Sequence, residues 1–294
     1  MSHAAVRRDP RTWLAFVKFE HTLFALPFAY AGTVLAAGGW PGTATFAWVT
    51  LAMVGARTAA MAINRVVDAE IDARNPRTAV REIPAGRLTR RDGVLVAAVG
   101  IAAFTVAGLA LNPLTAALLP VAVAFLVAYP YTKRVTWACH LWLGVTIGAA
   151  AAGGVIAVTG AFTAGAVALW VGVGAWIAGF DVIYALLDLE FDLREGVRSI
   201  PARFGPERAT DVAAALHALA LAAFAALAFV TPLGAIYAVG IGAFVAPLLA
   251  AQQLLVRRRG PAAALQAFNA NLWVSGLVLA AVVFDVAFAG GSGW

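Results

Sequence analysis

Apolar residues run along this chain in stretches of roughly twenty or more, separated by short polar connections. A spanning helix needs about 20 mainly apolar residues. Nine stretches qualify, at 13–38, 43–72, 92–111, 113–131, 137–159, 163–192, 208–230, 233–256 and 262–289. The pattern predicts an all-α, polytopic membrane protein, one membrane domain over residues 1–294. The second and sixth stretches are longer than a bilayer requires, so their C-terminal turns are expected to project toward water.

Composition agrees. Hydrophobic residues make up 62% of the 294 and charged residues 12%, against about 45–50% and about 25% in soluble domains. Nine Trp and 28 Gly fit the enrichment of Trp at membrane interfaces and of Gly in spanning helices. The single Cys139 has no partner for an internal disulfide and is expected to be a small packing residue. The opening MSHAAVRRDPRTW is basic, but Lys18, Glu20 and His21 interrupt the apolar run after it, and no clean cleavage pattern follows, so it is expected to be retained. No nucleic-acid module is present. The net charge of +6 is explained by the loops.

Those loops alternate. Arg7, Arg8, Arg11 and Lys18 lie at the N-terminus; six arginines from Arg74 to Arg91 fill the second connection; Lys133 and Arg134 lie in the fourth. Arg194, Arg198, Arg203 and Arg208 occupy the sixth, and Arg257, Arg258 and Arg259 the eighth. The intervening connections, near 38–43, 111–113, 159–163 and 230–233, carry no Lys or Arg. Basic loops stay on the cytoplasmic side, which puts the N-terminus inside and the C-terminus outside a cytoplasmic (inner) membrane.

The candidate chemistry sits at two helix ends. Residues 62–72 read AINRVVDAEID and residues 181–192 read DVIYALLDLEFD. Asp188 and Asp192 repeat Asp68 and Asp72 after 120 residues, and each pair leads into an Arg-rich loop containing Pro. That interval points to an internal repeat of three to four helices with its two acidic ends facing one another. Residues four apart share a helix face, so Asn64, Asp68 and Asp72 form one line of oxygen donors, and Asp181, Tyr184, Asp188 and Asp192 another. Glu70 and Glu190 fall off these lines and read as solvated carboxylates. Converging carboxylates repel and resist desolvation, so they call for a cation. Oxygen donors with few His or Cys favour a hard ion such as Mg²⁺, which commonly shares its coordination with substrate phosphates. The flanking arginines suit those phosphates. The plainer alternative is a salt-bridge skirt; a matched pair of stripes makes it the weaker reading.

Arg57 lies seven residues before Asn64, on the same face and deep in an apolar run. It is expected either to bind a substrate anion at the pocket floor or to pair with a carboxylate of another helix. Tyr129, Lys133 and Arg134, in YPYTKR, offer aromatic or phosphate contacts or serve as interface anchors. Glu20 and His21 are possible pocket-lining residues, while His140 and His217 have no ligand spacing and read as packing residues.

At these residues the chain resembles the UbiA family of intramembrane aromatic prenyltransferases. The family's first motif, Asn-Asp-x-x-Asp-x-x-x-Asp, stands here as NRVVDAEID; its second, Asp-x-x-Tyr-x-x-x-Asp-x-x-x-Asp, is complete as DVIYALLDLEFD. Arg65 replaces the second acidic residue of the first motif, a departure that bears on metal affinity or substrate choice. The stretch VKFEHTLFALPFAYAG with NRVVDAEIDARNPRTA is similar to the 4-hydroxybenzoate polyprenyltransferase subgroup. The resemblance implies nine helices around a central cavity and Mg²⁺-dependent transfer of a polyprenyl group from its diphosphate to a small aromatic acid in quinone biosynthesis. Asn64, Asp68, Asp72, Asp181, Asp188 and Asp192 would hold Mg²⁺, and Arg81, Lys133, Arg134 and Arg198 would neutralise the departing diphosphate. Arg57 would bind the acceptor's carboxylate or steady the diphosphate, and Tyr184 would orient a metal-binding Asp or the phosphates. The expected partners are thus a polyprenyl diphosphate, a small aromatic acceptor and the lipid bilayer. Some members of the subgroup are associated instead with prenylating 1,4-dihydroxy-6-naphthoate on the futalosine route to menaquinone. A secondary transporter of organic anions would place its polar residues at the midplane in broken helices, and a CDP-alcohol phosphotransferase would gather its acids in one compact motif. Neither pattern matches this chain as well.

Overall fold

A computed structural model describes residues 9–18 and 22–289; the expectations for Arg7, Arg8, Glu20 and His21 lie outside the described residues. Every regular element among them is helical. In chain order these are α1 Pro10–Phe16, α2 Thr22–Ala37, α3 Thr43–Val67, α4 Ala69–Arg74, α5 Arg90–Leu111, α6 Pro113–Val135 and α7 Cys139–Thr159, followed by α8 Ala164–Ala185, α9 Leu189–Glu195, α10 Ile200–Phe204, α11 Pro206–Val230, α12 Ala235–Gly240, α13 Ala246–Arg259 and α14 Ala264–Ala289.

Seven segments are long and apolar enough to cross a membrane among the described residues, so the expected nine are not confirmed by that measure. The apolar helix 25–37 is shorter, and Ala235–Phe288 counts as one 54-residue segment. That last segment nevertheless folds back at Gly260: the amide N–H groups of Gly234 and Tyr237 donate to the Asp285 carboxylate at 2.9–3.1 Å. Asp285 is 2% exposed and satisfies donors that the start of α12 would otherwise leave unpaired.

Four expected spans are interrupted, one of them, 233–256, by a π turn at Ile241–Val245. The stretch 13–38 is two helices, with Lys18 at φ 50° after α1. The stretch 43–72 breaks at Asp68 (φ −89°, ψ 0°) between α3 and α4. The stretch 163–192 breaks at its repeat counterpart, where Leu186–Asp188 is a 3-10 turn and Asp188 has φ −106° and ψ 4°. The two halves share this kink as well as the motif.

Contacts run α3–α5–α6–α7–α8–α11–α13–α14–α2 and return to α3, closing the bundle. An aromatic cluster in its core stacks Phe28 on Phe224 (5.9 Å) and tilts Phe28 against Trp176 (5.0 Å). With little hydrophobic drive between helices in lipid, close backbone approach supplies packing. The α3–α5 contact depends on it: a Cβ on Gly100 would lie 2.6 Å from the Ala59 amide nitrogen and 2.8 Å from the Gly55 carbonyl oxygen. At the end of α9, Gly196 adopts φ 70° and turns the chain back toward the motif.

Gly100→Val is expected to destabilise the solubilised protein by roughly 1–3 kcal/mol, the usual scale of overpacking. Gly276→Val on α14, where a Cβ meets nothing within 4 Å, serves as the control. Equal melting temperatures for the two variants would remove the close α3–α5 contact.

Candidate functional site

The acidic ends meet in a pocket of about 180 Å³ on the side of the basic loops. Asn64, Asp68 and Asp72 line it from α3 and α4, Tyr129 and Lys133 from α6, and Asp181, Tyr184, Asp188 and Asp192 from α8 and α9. Arg81 and Arg198 reach it from the connecting loops.

Each motif carboxylate has a partner. Asp68 is fully buried and accepts from Lys133 Nζ (2.5 Å), Arg134 Nη1 (3.0 Å) and Asn64 Nδ2 (2.9 Å). Asp72 accepts from Arg81 Nη1 at 2.7 Å on both oxygens. Asp188 is bound by the Arg77 guanidinium, Nε lying 2.8 Å from Oδ1, and by Asn75 Nδ2 at 2.9 Å. Asp192 accepts from Ser199 Oγ at 2.9 Å, and Asp181 pairs with His140 Nδ1 at 2.7 Å. Charges buried this way need partners, because an unpaired one would cost several kcal/mol, roughly 3–5.

Arg77 links the halves. It leaves the loop after the first motif, bonds Asp188 of the second, donates through Nη1 to Tyr184 Oη (2.9 Å), and its Cζ lies 5.2 Å from the Tyr184 ring centre. Burial alone would lower its pKa, but the hydrogen bonds and charge of Asp188 outweigh that and raise it above the ordinary arginine value. Arg77 therefore stays charged at every working pH.

The expected site residues fall into two groups. Asn64, Asp68, Asp72, Asp181, Asp188, Asp192, Tyr129, Lys133, Tyr184, Arg81 and Arg198 line the pocket together. Arg198 spends Nη1 on the Val135 carbonyl oxygen (2.5 Å), at the end of α6. Arg134 acts through Asp68 from outside the lining. Arg57 also lies outside it, and its Nε is buried without a hydrogen-bond partner.

Among the polar pocket residues, Asn75, Arg77, Thr78, Ser199 and His140 escaped the sequence reading. Asn75 and Arg77 stand directly after the first motif in NPRT, a local signal weighted only as loop charge. His140 is 41 residues from Asp181 and had no signal at all.

No three His, Cys, Asp or Glu side chains converge tightly enough to cage a metal among the described residues. The donor set still fits Mg²⁺, which takes one or two carboxylates and completes its shell with water and phosphate. Five carboxylates and an amide oxygen supply only hard donors from both walls.

Beneath the pocket a second cavity, about 330 Å³, continues along the same helices. Ala56, Met53 and Val49 of α3, Phe125 and Leu118 of α6, and Val145 and Ile156 of α7 line it, with few polar atoms. Phe125 and Trp142 stack at 4.6 Å near its upper end.

Arg65, at the family's second acidic position, faces away from the pocket. It is 3% exposed, its Nε donates to the Phe16 carbonyl oxygen of α1 at 3.5 Å, and Arg81, Glu82 and Asp72, in that order, act on its charge.

These features define a class: an all-helical, polytopic membrane protein with a charge-interleaved polar pocket at one end and an apolar cavity continuing below. The chain belongs to the UbiA prenyltransferase family, whose model matches residues 25–284. A 4-hydroxybenzoate octaprenyltransferase of Alkalilimnicola ehrlichii is 33% identical over 261 residues, 88% of each chain. One of Methylococcus capsulatus is 33% identical over 258 residues, 87% of each. An apo UbiA homologue from Aeropyrum pernix K1 superposes with a TM-score of 0.82 at 34% identity, covering 90% of this chain and 98% of its own. A UbiA homologue from Archaeoglobus fulgidus, solved with GPP and Mg²⁺, shares the fold at 18% identity (TM-score 0.70; 94% and 99% covered).

Arg65→Asp would set a third carboxylate beside Glu82 and Asp72 and remove the bond to α1. The variant is expected to lose stability, by roughly 3–5 kcal/mol, and to expose the α1 segment to trypsin at Arg11. Unchanged proteolysis with an altered ratio of acceptor rates would assign Arg65 to substrate choice instead.

Proposed function

We propose that this chain transfers a polyprenyl group from a polyprenyl diphosphate to the ring of a small aromatic acid of the 4-hydroxybenzoate type, with Mg²⁺ as cofactor. One observation carries the reading: acids and bases alternate within a single pocket. A bare anion would meet the carboxylates and a bare cation the arginines. A metal diphosphate presents both signs and satisfies both.

Asn64, Asp68 and Asp72 from one wall, with Asp188 and Asp192 from the other, would hold the metal. Arg77, Arg81, Lys133 and Arg134, which bond those carboxylates in the free protein, would turn their donors to the diphosphate. Arg198 lines the same wall. When bound, Mg²⁺ supplies charge that stabilises the departing diphosphate oxygen. The fixed cations do the same without reorganising water, which makes such groups effective at a leaving group. Tyr184 holds Arg77 by ring and hydroxyl.

The C–O bond to the diphosphate breaks with its electron pair leaving on oxygen. The allylic carbon is then attacked by the electron-rich acceptor ring, which later loses a proton. The apolar cavity beneath the site takes the prenyl tail and keeps water from the cationic carbon. Arg57, between the two chambers on α3 and with an unpartnered Nε, would bind the acceptor's carboxylate, and Tyr129 lies beside it. The diphosphate end faces the basic loops, hence the cytoplasmic face of the inner membrane by the charge rule. The relatives named for 4-hydroxybenzoate support this acceptor over a dihydroxynaphthoate.

A membrane assay with geranyl diphosphate and Mg²⁺, offering 4-hydroxybenzoate and 1,4-dihydroxy-6-naphthoate in parallel, tests the reading. Product is expected from 4-hydroxybenzoate and should disappear with EDTA. Asp68→Asn and Asp188→Asn should each cost at least about 100-fold in turnover, the scale of removing a group that stabilises leaving charge, while still inserting. Product only from the naphthoate would reassign the acceptor; full activity in either variant would defeat the metal diphosphate site.

A further inference from the structure

Asp181 differs from every other motif carboxylate. Asp68, Asp72 and Asp188 bond lysine or arginine, and Asp192 bonds a serine, whereas Asp181 bonds an imidazole. It also lies deeper. Seven residues separate it from Asp188, roughly 10 Å along a helix at 1.5 Å per residue, toward Tyr129 and the apolar cavity.

The His140 ring is enclosed. Its side chain is 5% exposed, and Nε2 is buried without a hydrogen-bond partner. Its Nδ1 bonds Asp181 Oδ2 at 2.7 Å. A carboxylate can only accept, so Nδ1 carries the proton. His140 borders the pocket, but with Nδ1 spent on Asp181 and Nε2 buried, its polar atoms act on a ligand through Asp181. The ring can hold Asp181 in one orientation, as a hydrogen-bonded imidazole holds a functional carboxylate elsewhere. With Oδ2 taken, Oδ1 remains. The Asp181 side chain is 28% exposed and lines the pocket.

Resting on the prenyl-transfer reading above, we propose that His140 is a positioning residue: it draws Asp181 out of the metal set and aims Oδ1 at the hydroxyl of the aromatic acceptor. A phenolic hydroxyl donating to a carboxylate gains electron density in its ring, which favours attack on an allylic carbon. The same bond selects hydroxylated rings. A site built to accept from a hydroxyl discriminates strongly against analogues without one, because its buried acceptor is then left unpaired. Arg57 at the carboxylate and Asp181 at the hydroxyl would set the two ends of the acceptor.

The test is steady-state kinetics in membranes for wild type, His140→Phe and His140→Asn. The readouts are KM for 4-hydroxybenzoate, KM for geranyl diphosphate, half-saturating Mg²⁺, and the inhibition constant of benzoate, which lacks the hydroxyl. His140→Phe should raise the hydroxybenzoate KM roughly tenfold, the loss of about one charged hydrogen bond. The benzoate, donor and Mg²⁺ constants should stay within about twofold. His140→Asn, whose amide can donate to Asp181, should recover most of the loss. A matching rise in half-saturating Mg²⁺ would return Asp181 to the metal set and overturn the proposal. So would parallel changes in every constant, or none in hydroxybenzoate KM. If wild type prenylates no hydroxylated aromatic acid, the functional reading falls and this inference with it; wild-type activity with an unaltered His140→Phe profile overturns the inference alone.

Discussion

A carboxylate carried to the end of a membrane helix must be matched by positive charge, and that requirement organises this molecule. Desolvating an ion costs several kcal/mol even after the protein relaxes, and the bundle end buries Asp68 completely and Asp72 and Asp192 almost so. Lys133 and Arg134 answer Asp68 from α6, Arg81 answers Asp72 from the α4–α5 loop, and Asp192 takes a hydroxyl from Ser199. Arg77 answers Asp188 across the pocket. The loops are therefore ordered by the acids they neutralise: Thr78 donates to the Asp72 carbonyl, and the Arg198 amide donates to the Lys133 carbonyl, so the arginine-rich segments pack as part of the site.

The helix breaks fall at two of these acids. Asp68 and Asp188 both take backbone angles near φ −90 to −106° and ψ close to 0°, which turns α4 and α9 away from their parent helices. A straight helix would hold its acids in a stripe on one wall. The kinks bring the acids and the following loops over the pocket, where a cation from one half meets an acid of the other. The repeat thus builds one two-sided site from two similar ends, and the apolar cavity under it follows because the same helices, α3, α6 and α7, continue below in small and aliphatic residues.

Much of this was legible in the chain. Spacings of four residues place oxygen donors on one face whatever surrounds the helix, so the convergence of Asp68, Asp72, Asp188 and Asp192 on one pocket could be read from the chain. The basic loops and long apolar runs were equally plain. The kinks at Asp68 and Asp188 were not, because neither motif contains the Gly or Pro that marks a break. Nor could the sequence pair Arg77 with Asp188, 111 residues on, or His140 with Asp181. Such choices depend on which helices become neighbours. Arg65 illustrates the converse: its place in the motif suggested a role in the site, but the helix turns it outward to the Phe16 carbonyl of α1.

The most direct test of a pocket built for both signs of charge is the melting temperature of the solubilised protein with Mg²⁺ alone, inorganic diphosphate alone, and the two together. Ligands that bind the native state at about 100 times their Kd stabilise by roughly 2.7 kcal/mol, worth about 5–10 °C for a chain of this size. That shift is expected only when both are present, with little from either alone. A shift of the same size from diphosphate without Mg²⁺, or from Mg²⁺ without diphosphate, would contradict a site that recognises the metal diphosphate as a unit.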